Sequence, residues 1–171
     1  WGPKCPACSD AAVFTIGLMD LILWRHAEAF DALEGEDDLS RSLTPKGERQ
    51  AQRMAEWLNQ RLAESTRILV SPALRCQQTA AALGRKTKAL PELGPNASVQ
   101  TVLDAARWPD SVAPVLIIGH QPVLGLVAAS LLTGQLFPLA VKKCAVWWLR
   151  KRDREGFAQV VLQAVQSPDC L

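Results

Sequence analysis

Leu21-Ile22-Leu23-Trp24, followed at once by Arg25-His26, is the stretch from which the fold can be read. Its four apolar residues stand in succession, without the alternation of a strand that has one wet face. That pattern predicts a strand buried on both sides. The same figure recurs at Val115-Leu116-Ile117-Ile118, which leads into Gly119-His120. A third run, Ile68-Leu69-Val70, leads into Ser71-Pro72 and then Arg75. The chain has 2 histidines, and each stands just past one of these runs. In open α/β sheets the carboxyl ends of the strands are where ligands bind. Two imidazoles and two guanidiniums delivered to that edge point to chemistry on an anion, above all a phosphoryl group.

Between the strands the periodicity turns helical. Thr44 is placed to cap a helix that has Pro45 at its first position. Ala51, Met54, Ala55, Leu58 and Leu62 then fall on one face of it. Ser71-Pro72 predicts the opening of a second helix through about Leu83, and Ser98 caps a third over Val99–Arg107. A fourth runs on from Gln121-Pro122 through Leu132 to a stop at Gly134. Lys88-Ala89-Leu90 predicts a short strand, broken by Pro91. The last stretch reads as two strands, Ala145–Leu149 and Phe157–Ala164, joined by a charged turn ending at Gly156. Residues after Gln166 are expected to fray. Together these elements predict an α/β fold, a single domain with a mostly parallel sheet, helices on both faces and a C-terminal antiparallel hairpin.

The bulk numbers agree. The 171 residues suit one domain, and 49% hydrophobic with 21% charged residues is ordinary for a globular protein. A net charge of +2 is too small to point to nucleic acid. Arg150-Lys151-Arg152 and Arg154 are interrupted by acids and read as a solvated turn. No apolar run reaches the ~18 residues of a membrane-spanning helix, so no membrane partner is expected. Residues 1–18 contain no Met and fit no element that follows, whereas Met19 stands just ahead of the first strand. Ala11–Leu18 is apolar but too short and poorly flanked for a signal peptide. Residues 1–18 are therefore read as a tag, leader or extension, and the domain as residues 19–171.

The 5 cysteines are irregularly spaced. Cys5-Pro6-Ala7-Cys8 has the gap of half a zinc site, but no second pair completes it, so neither metal nor cofactor is expected. Cys76 and Cys144 lie inside apolar patterns and read as buried thiols, which suits a reducing, cytoplasmic compartment.

The residues at the strand ends have a chemistry in common. An Arg beside a sheet is costly to bury unless an anion or carboxylate meets it. A neutral imidazole at His26 can attack phosphorus through one nitrogen while an acceptor on the other fixes its tautomer. Neighbouring arginines disfavour imidazolium and keep it neutral. Arg75 can bind phosphoryl oxygens bidentately. His120 can donate to those oxygens as charge develops.

Four segments taken together resemble the histidine phosphatase superfamily. They are Leu23-Trp24-Arg25-His26-Ala27-Glu28, Arg41-Ser42-Leu43-Thr44-Pro45-Lys46-Gly47, Val70-Ser71-Pro72-Ala73-Leu74-Arg75-Cys76-Gln77-Gln78-Thr79 and Ile117-Ile118-Gly119-His120-Gln121-Pro122. Within it the chain is most similar to the small SixA-type phosphohistidine phosphatases, over about Asp20 to Ala164. The resemblance implies a phosphoglycerate mutase-like fold and metal-free hydrolysis in two steps through a phosphohistidine on His26. It implies that Arg25 and Arg75 bind the phosphoryl group, that His120 completes the pocket and that Arg41 adds a basic group nearby. The usual Arg-His-Gly is Arg25-His26-Ala27 here. Glu92 lies where larger relatives carry a general acid, with Glu28, Asp37 and Asp38 as alternatives. The connections from the first strand to Thr44 and from Gln77 to Val115 are too short for a large lid. An open pocket favours a phosphohistidine-bearing protein as partner. A small phosphate ester is the alternative, and a phosphate-binding module without turnover is a third reading. The sequence leaves the oligomeric state open.

Overall fold

The computed structural model describes residues 19–154 and 157–171. The segment 1–18, with the Cys5–Cys8 pair, and the turn at 155–156 lie outside them. Six strands form one sheet. They are β1 (Met19–Arg25), β2 (Arg67–Val70), β3 (Lys88–Ala89), β4 (Val115–Gly119), β5 (Val146–Arg154) and β6 (Phe157–Gln166). The helices are α1 (Pro45–Asn59), α2 (Leu74–Ala81), α3 (Val99–Ala106) and α4 (Val123–Thr133). Strand order is β3-β2-β4-β1-β5-β6. The first four in that order pair in parallel, and β5 and β6 form the antiparallel hairpin. The α/β fold expected from the sequence is the one observed.

The continuous apolar runs follow from burial on both faces. Ile22, Trp24, Ile68, Val70, Leu116 and Ile118 face one layer with Met54, Leu58 and Ala80 of α1 and α2. Leu21, Leu23, Leu69, Val115 and Ile117 face the other with Val102 of α3 and Leu124 and Val127 of α4. Trp24 is fully buried, and its indole N–H donates to the Cys144 carbonyl at 3.1 Å, so the one polar atom of the ring is satisfied. Thr44 caps α1 by accepting from the Gly47 N–H at 3.0 Å, as its position predicts. Gly134, at φ 73°, ends α4 in the left-handed region.

Two expectations need correction. The second helix begins at Leu74 rather than at Ser71-Pro72. The Ser71 hydroxyl is engaged by the Ala73 N–H at 3.3 Å and by a histidine ring, which holds this stretch as a turn. Residues past Gln166 do not fray. Pro168–Cys170 form a 3-10 turn with Pro168 buried, and Arg53 of α1 donates to the Leu171 carbonyl.

Two glycines let helices approach connecting loops at backbone distance. A Cβ on Gly47 in α1 would collide with the Glu28 carbonyl, and one on Gly125 in α4 with the Leu139 carbonyl. Gly125→Ala should therefore destabilise the fold by roughly 1–3 kcal/mol or more. Gly94→Ala, whose added carbon meets nothing closer than 3.4 Å, should be near neutral. Urea denaturation of both variants checks this, and equal losses would overturn the close-approach account.

Candidate active site

β1 ends at Arg25, and both backbone groups of the next residue are tied down. The His26 N–H donates to the Gly119 carbonyl at 3.1 Å, and its carbonyl accepts from the Cys144 N–H at 3.0 Å. The ring is fixed as well, because Nδ1 lies 2.8 Å from the Ala27 carbonyl. A carbonyl only accepts, so Nδ1 carries the proton and Nε2 keeps its lone pair. That peptide is in turn anchored to α2. The Ala27 N–H donates to Thr79 Oγ1 at 3.1 Å, and the Thr79 hydroxyl donates to the Arg75 carbonyl at 2.7 Å.

His120 follows β4 and brings its ring to 5.3 Å from that of His26, centroid to centroid. Its Nε2 is 2.7 Å from Ser71 Oγ and its Nδ1 3.4 Å from Arg75 Nη2. The ring is thus held from both edges, by Ser71 of the β2–α2 connection and by Arg75 in the first turn of α2. Cys76 packs behind it, with Sγ 3.5 Å from Nε2.

The guanidiniums are built in from different sides. Arg25 Nη1 donates to the Val141 carbonyl at 2.8 Å. Arg75, buried, donates from Nη2 to Asp38 Oδ2 at 2.7 Å and from Nη1 to the Asp38 carbonyl at 2.5 Å. The Nε–H of each is buried with no hydrogen-bond partner among the described residues. Both side chains therefore keep donor capacity at a cost that an anion would offset. Arg41 reaches Asp38 Oδ1 at 2.8 Å and the Phe30 carbonyl at 2.7 Å.

These groups line a cavity of about 380 Å³, with Asp31, Gln121 and Lys143 also on its wall. Arg25, Arg41, Arg75 and Lys143 outnumber Asp31 and Asp38 there. Burial pushes His26 down to about 4, opposed by its bond to Ala27 and helped by Arg75, Arg25 and Arg41. Burial and Arg75 push His120 down to about 3. Both rings are neutral near pH 7. The hydrogen bond from Arg75, with a further one from Arg41, holds the Asp38 carboxyl below the usual range, so it is ionised. Burial alone lowers Arg25. A free nucleophilic nitrogen facing a cation-rich cavity is equipped to take an electrophilic oxyanion such as a phosphoryl group.

The five residues singled out in the sequence as Arg25, His26, Arg41, Arg75 and His120 meet in this cavity. Glu92 does not line it. It is exposed in an adjoining cleft with Pro91 and Ser98, which meets the cavity at Pro95. Glu28 is also outside, bound by Lys46 at 3.0 Å and by the Thr44 hydroxyl, which together hold its carboxyl below the usual range. Asp37 is exposed and caps the turn Asp38–Ser40 by accepting from the Leu39 N–H. Reading the residues missed Ser71 and Thr79 as supports and Asp31, Gln121 and Lys143 as wall. Thr79 alone carried a signal, since its i+4 spacing from Arg75 puts both on one face of α2. A larger cleft, about 750 Å³ at the amino end of β2, contains no imidazole. Its Arg67 and Arg85 spend their guanidiniums on backbone carbonyls of neighbouring helix ends.

Residues 21–96 match the model of the histidine phosphatase superfamily (branch 1). The phosphohistidine phosphatase SixA of Escherichia coli (strain K12) is 36% identical over 129 residues, 71% of this chain and 79% of that one. A SixA homolog of Haemophilus influenzae is 30% identical over 66% of this chain and 77% of its own. Among solved structures, the protein histidine phosphatase SixA complexed with tungstate superposes with a TM-score of 0.72 at 32% identity. The match covers 88% of this chain and 98% of that one.

The histidine shifts carry a pH signature. A histidine whose folded pKa lies below its unfolded one stabilises the protein fully above the unfolded value. It loses that contribution as pH falls toward the folded value. Stability should thus decline from about pH 6.5 toward about 4 for His26 and about 3 for His120. Nitrogen NMR of the rings should show both neutral at pH 6, with the proton of His26 on Nδ1. A His26 midpoint near 6.5 would overturn this electrostatic account.

Proposed function

The chain belongs to the histidine phosphatase superfamily, and we propose that it hydrolyses phosphohistidine on a protein through a covalent phosphohistidine on His26. One observation carries the reading. His26 is locked with its proton on Nδ1 by the Ala27 carbonyl, leaving Nε2 as a neutral nucleophile in a cavity it shares with half-buried Arg25 and buried Arg75. That a similar protein, the histidine phosphatase SixA, is known complexed with tungstate, an oxyanion shaped like phosphate, supports an oxyanion as ligand.

In the first step the Nε2 lone pair attacks phosphorus while the bond from phosphorus to the substrate's imidazole nitrogen breaks. That nitrogen keeps the bonding pair and leaves; a proton already carried on the other nitrogen of the substrate's ring makes the departing imidazole neutral. Arg25 and Arg75 donate to the phosphoryl oxygens throughout, with Arg41 alongside, so the charge is neutralised without a metal ion. Arg75 only donates, so the His120 Nδ1 beside it accepts and the ring's proton lies on Nε2, donated to the Ser71 hydroxyl; His120 thus walls the pocket and steadies Arg75. In the second step water attacks phospho-His26, the phosphorus–nitrogen bond breaks, and inorganic phosphate, a proton and neutral His26 result. Imidazole is a good leaving group, which fits a cavity whose Asp38 is held ionised and whose neighbour Glu92 stands outside. For less reactive leaving groups Glu92, the acid the family resemblance points to, would have to reach in from the adjoining cleft. The buried thiols Cys76 and Cys144 support a reducing, cytoplasmic setting. Among the described residues no helix is long and apolar enough to cross a membrane.

Phosphate release from a phosphohistidine protein and from para-nitrophenyl phosphate tests this. Wild type should turn over the first faster, His26→Ala should lose both, and EDTA should change neither. Arg75→Ala should cost roughly 2–4 kcal/mol of transition-state stabilisation. Near-normal activity in His26→Ala would overturn the covalent mechanism. Activity confined to the small ester would make the protein a small-molecule phosphomonoesterase.

A further inference from the structure

The mouth of the catalytic cavity is framed by a segment whose charge is opposite to that of the cavity. Between Ala29 and Ser40 the ionisable side chains are Asp31, Glu34, Glu36, Asp37 and Asp38, and none is basic. Asp38 is spent on Arg75 and Arg41. The other four carboxylates form no ion pair among the described residues. Interleaved with them, Phe30, Leu33 and Leu39 are 53%, 67% and 39% exposed. Scattered apolar side chains on a surface are ordinary, but three on one short segment beside a cavity mark an interaction site. A depression of about 420 Å³ lies against Phe30, Leu33 and Glu36. It runs into the catalytic cavity, because Asp31 and Arg41 line both.

The rim is also preformed. The Phe30 N–H donates to the Ser42 carbonyl at 3.0 Å, Glu36 N–H to the Leu33 carbonyl at 3.1 Å and Ser40 N–H to the Asp37 carbonyl at 2.9 Å. Arg41 bonds the Phe30 carbonyl from inside the site. Sequestering the phosphoryl group needs none of these exposed carboxylates. They would repel a metabolite that is anionic throughout.

We propose that this acidic, apolar rim docks the body of the substrate, and that the substrate is a protein segment carrying basic and apolar side chains beside its phosphohistidine. The inference rests on the phosphohistidine phosphatase reading above. The phosphoryl group enters a cation-lined cavity while flanking Lys or Arg side chains meet Asp31, Glu34, Glu36 and Asp37. Such rim complementarity selects partners and speeds their capture. Flanking apolar groups cover Leu33 and Phe30 and add contact where the carboxylates set the register.

Two peptides of equal length with a central phosphohistidine test this, one flanked by Lys and Leu and the other by Glu and Leu. Wild type should favour the first by roughly tenfold or more in kcat/KM. The double variant Glu34→Lys, Glu36→Lys should lose or invert that preference, and Leu33→Ala should lower kcat/KM for the Lys and Leu peptide. Turnover of para-nitrophenyl phosphate should hold within about twofold in all of them, since the altered side chains lie outside the catalytic cavity. Equal rates on both peptides, unaltered by the variants, would overturn the docking surface and leave the phosphatase reading intact. Hydrolysis of para-nitrophenyl phosphate with no turnover of either peptide would overturn the phosphohistidine reading and the docking proposal together. A Glu-flanked preference in wild type would overturn the charge argument alone.

Discussion

The parallel pairing of β1 with β4 is the constraint on which the rest of the molecule depends. Trp24 stands opposite Ile118 and Arg25 opposite Gly119. β2 joins the same ladder with Val70 opposite Ile118. β1 and β4 therefore end level, and His26 and His120 leave the sheet side by side, while β2 ends one step earlier and puts Ser71 at the level of Gly119. The ladder extends one step past the strands through bonds to the Gly119 and Ile118 carbonyls. A one-residue slip would turn every side chain of a strand to the other face. With both faces buried under helices, such a slip would wreck two cores at once, so the position of the imidazoles is fixed by hydrophobic packing far from them.

Charge is the second organising influence. Buried guanidiniums and imidazoles share one small cavity, and each arginine makes it harder for a ring to take a proton. Burial keeps the rings neutral, and the arginines add to it. Asp38 tempers the excess on one side by pairing with Arg75 and Arg41, while Arg25 leans on a backbone carbonyl instead. That division leaves the net field in the cavity positive and its position rigid, which is how a site can stabilise developing negative charge with little reorganisation.

Much of this was legible in the residues, and the reasons are physical. Doubly buried strands must be apolar on successive positions, so β1, β2 and β4 announce themselves, and polar residues ending such runs are conspicuous. α1 followed from its cap and periodicity, α3 from its cap at Ser98 and α4 from its stop at Gly134, whereas α2 starts later than Ser71-Pro72 suggested. What the sequence left unread depends on contacts between distant segments. Asp38 is one acid among five in a polar loop, and only folding brings it to Arg75, 37 positions away. Ser71 reads as a helix cap, yet its hydroxyl serves a histidine 49 positions on. The tail past Gln166 lacks any periodicity, and its order comes from packing Pro168 and bonding Arg53. Glu92 shows the converse, since a position in the right interval of the chain did not put its carboxylate on the cavity wall.

The connection Gly134-Gln135-Leu136-Phe137-Pro138-Leu139-Ala140-Val141 forms no helix or strand. Its Leu139 carbonyl takes the amide of Gln121 and is closely approached by Gly125, while its Val141 carbonyl takes Arg25. One short strap thus ties together side chains delivered by two different strands. Surface loops commonly absorb extra residues with little harm. This one is a spacer of set length, in which an added residue would misplace the Arg25 guanidinium, so length variation tolerable elsewhere on the surface would be costly here.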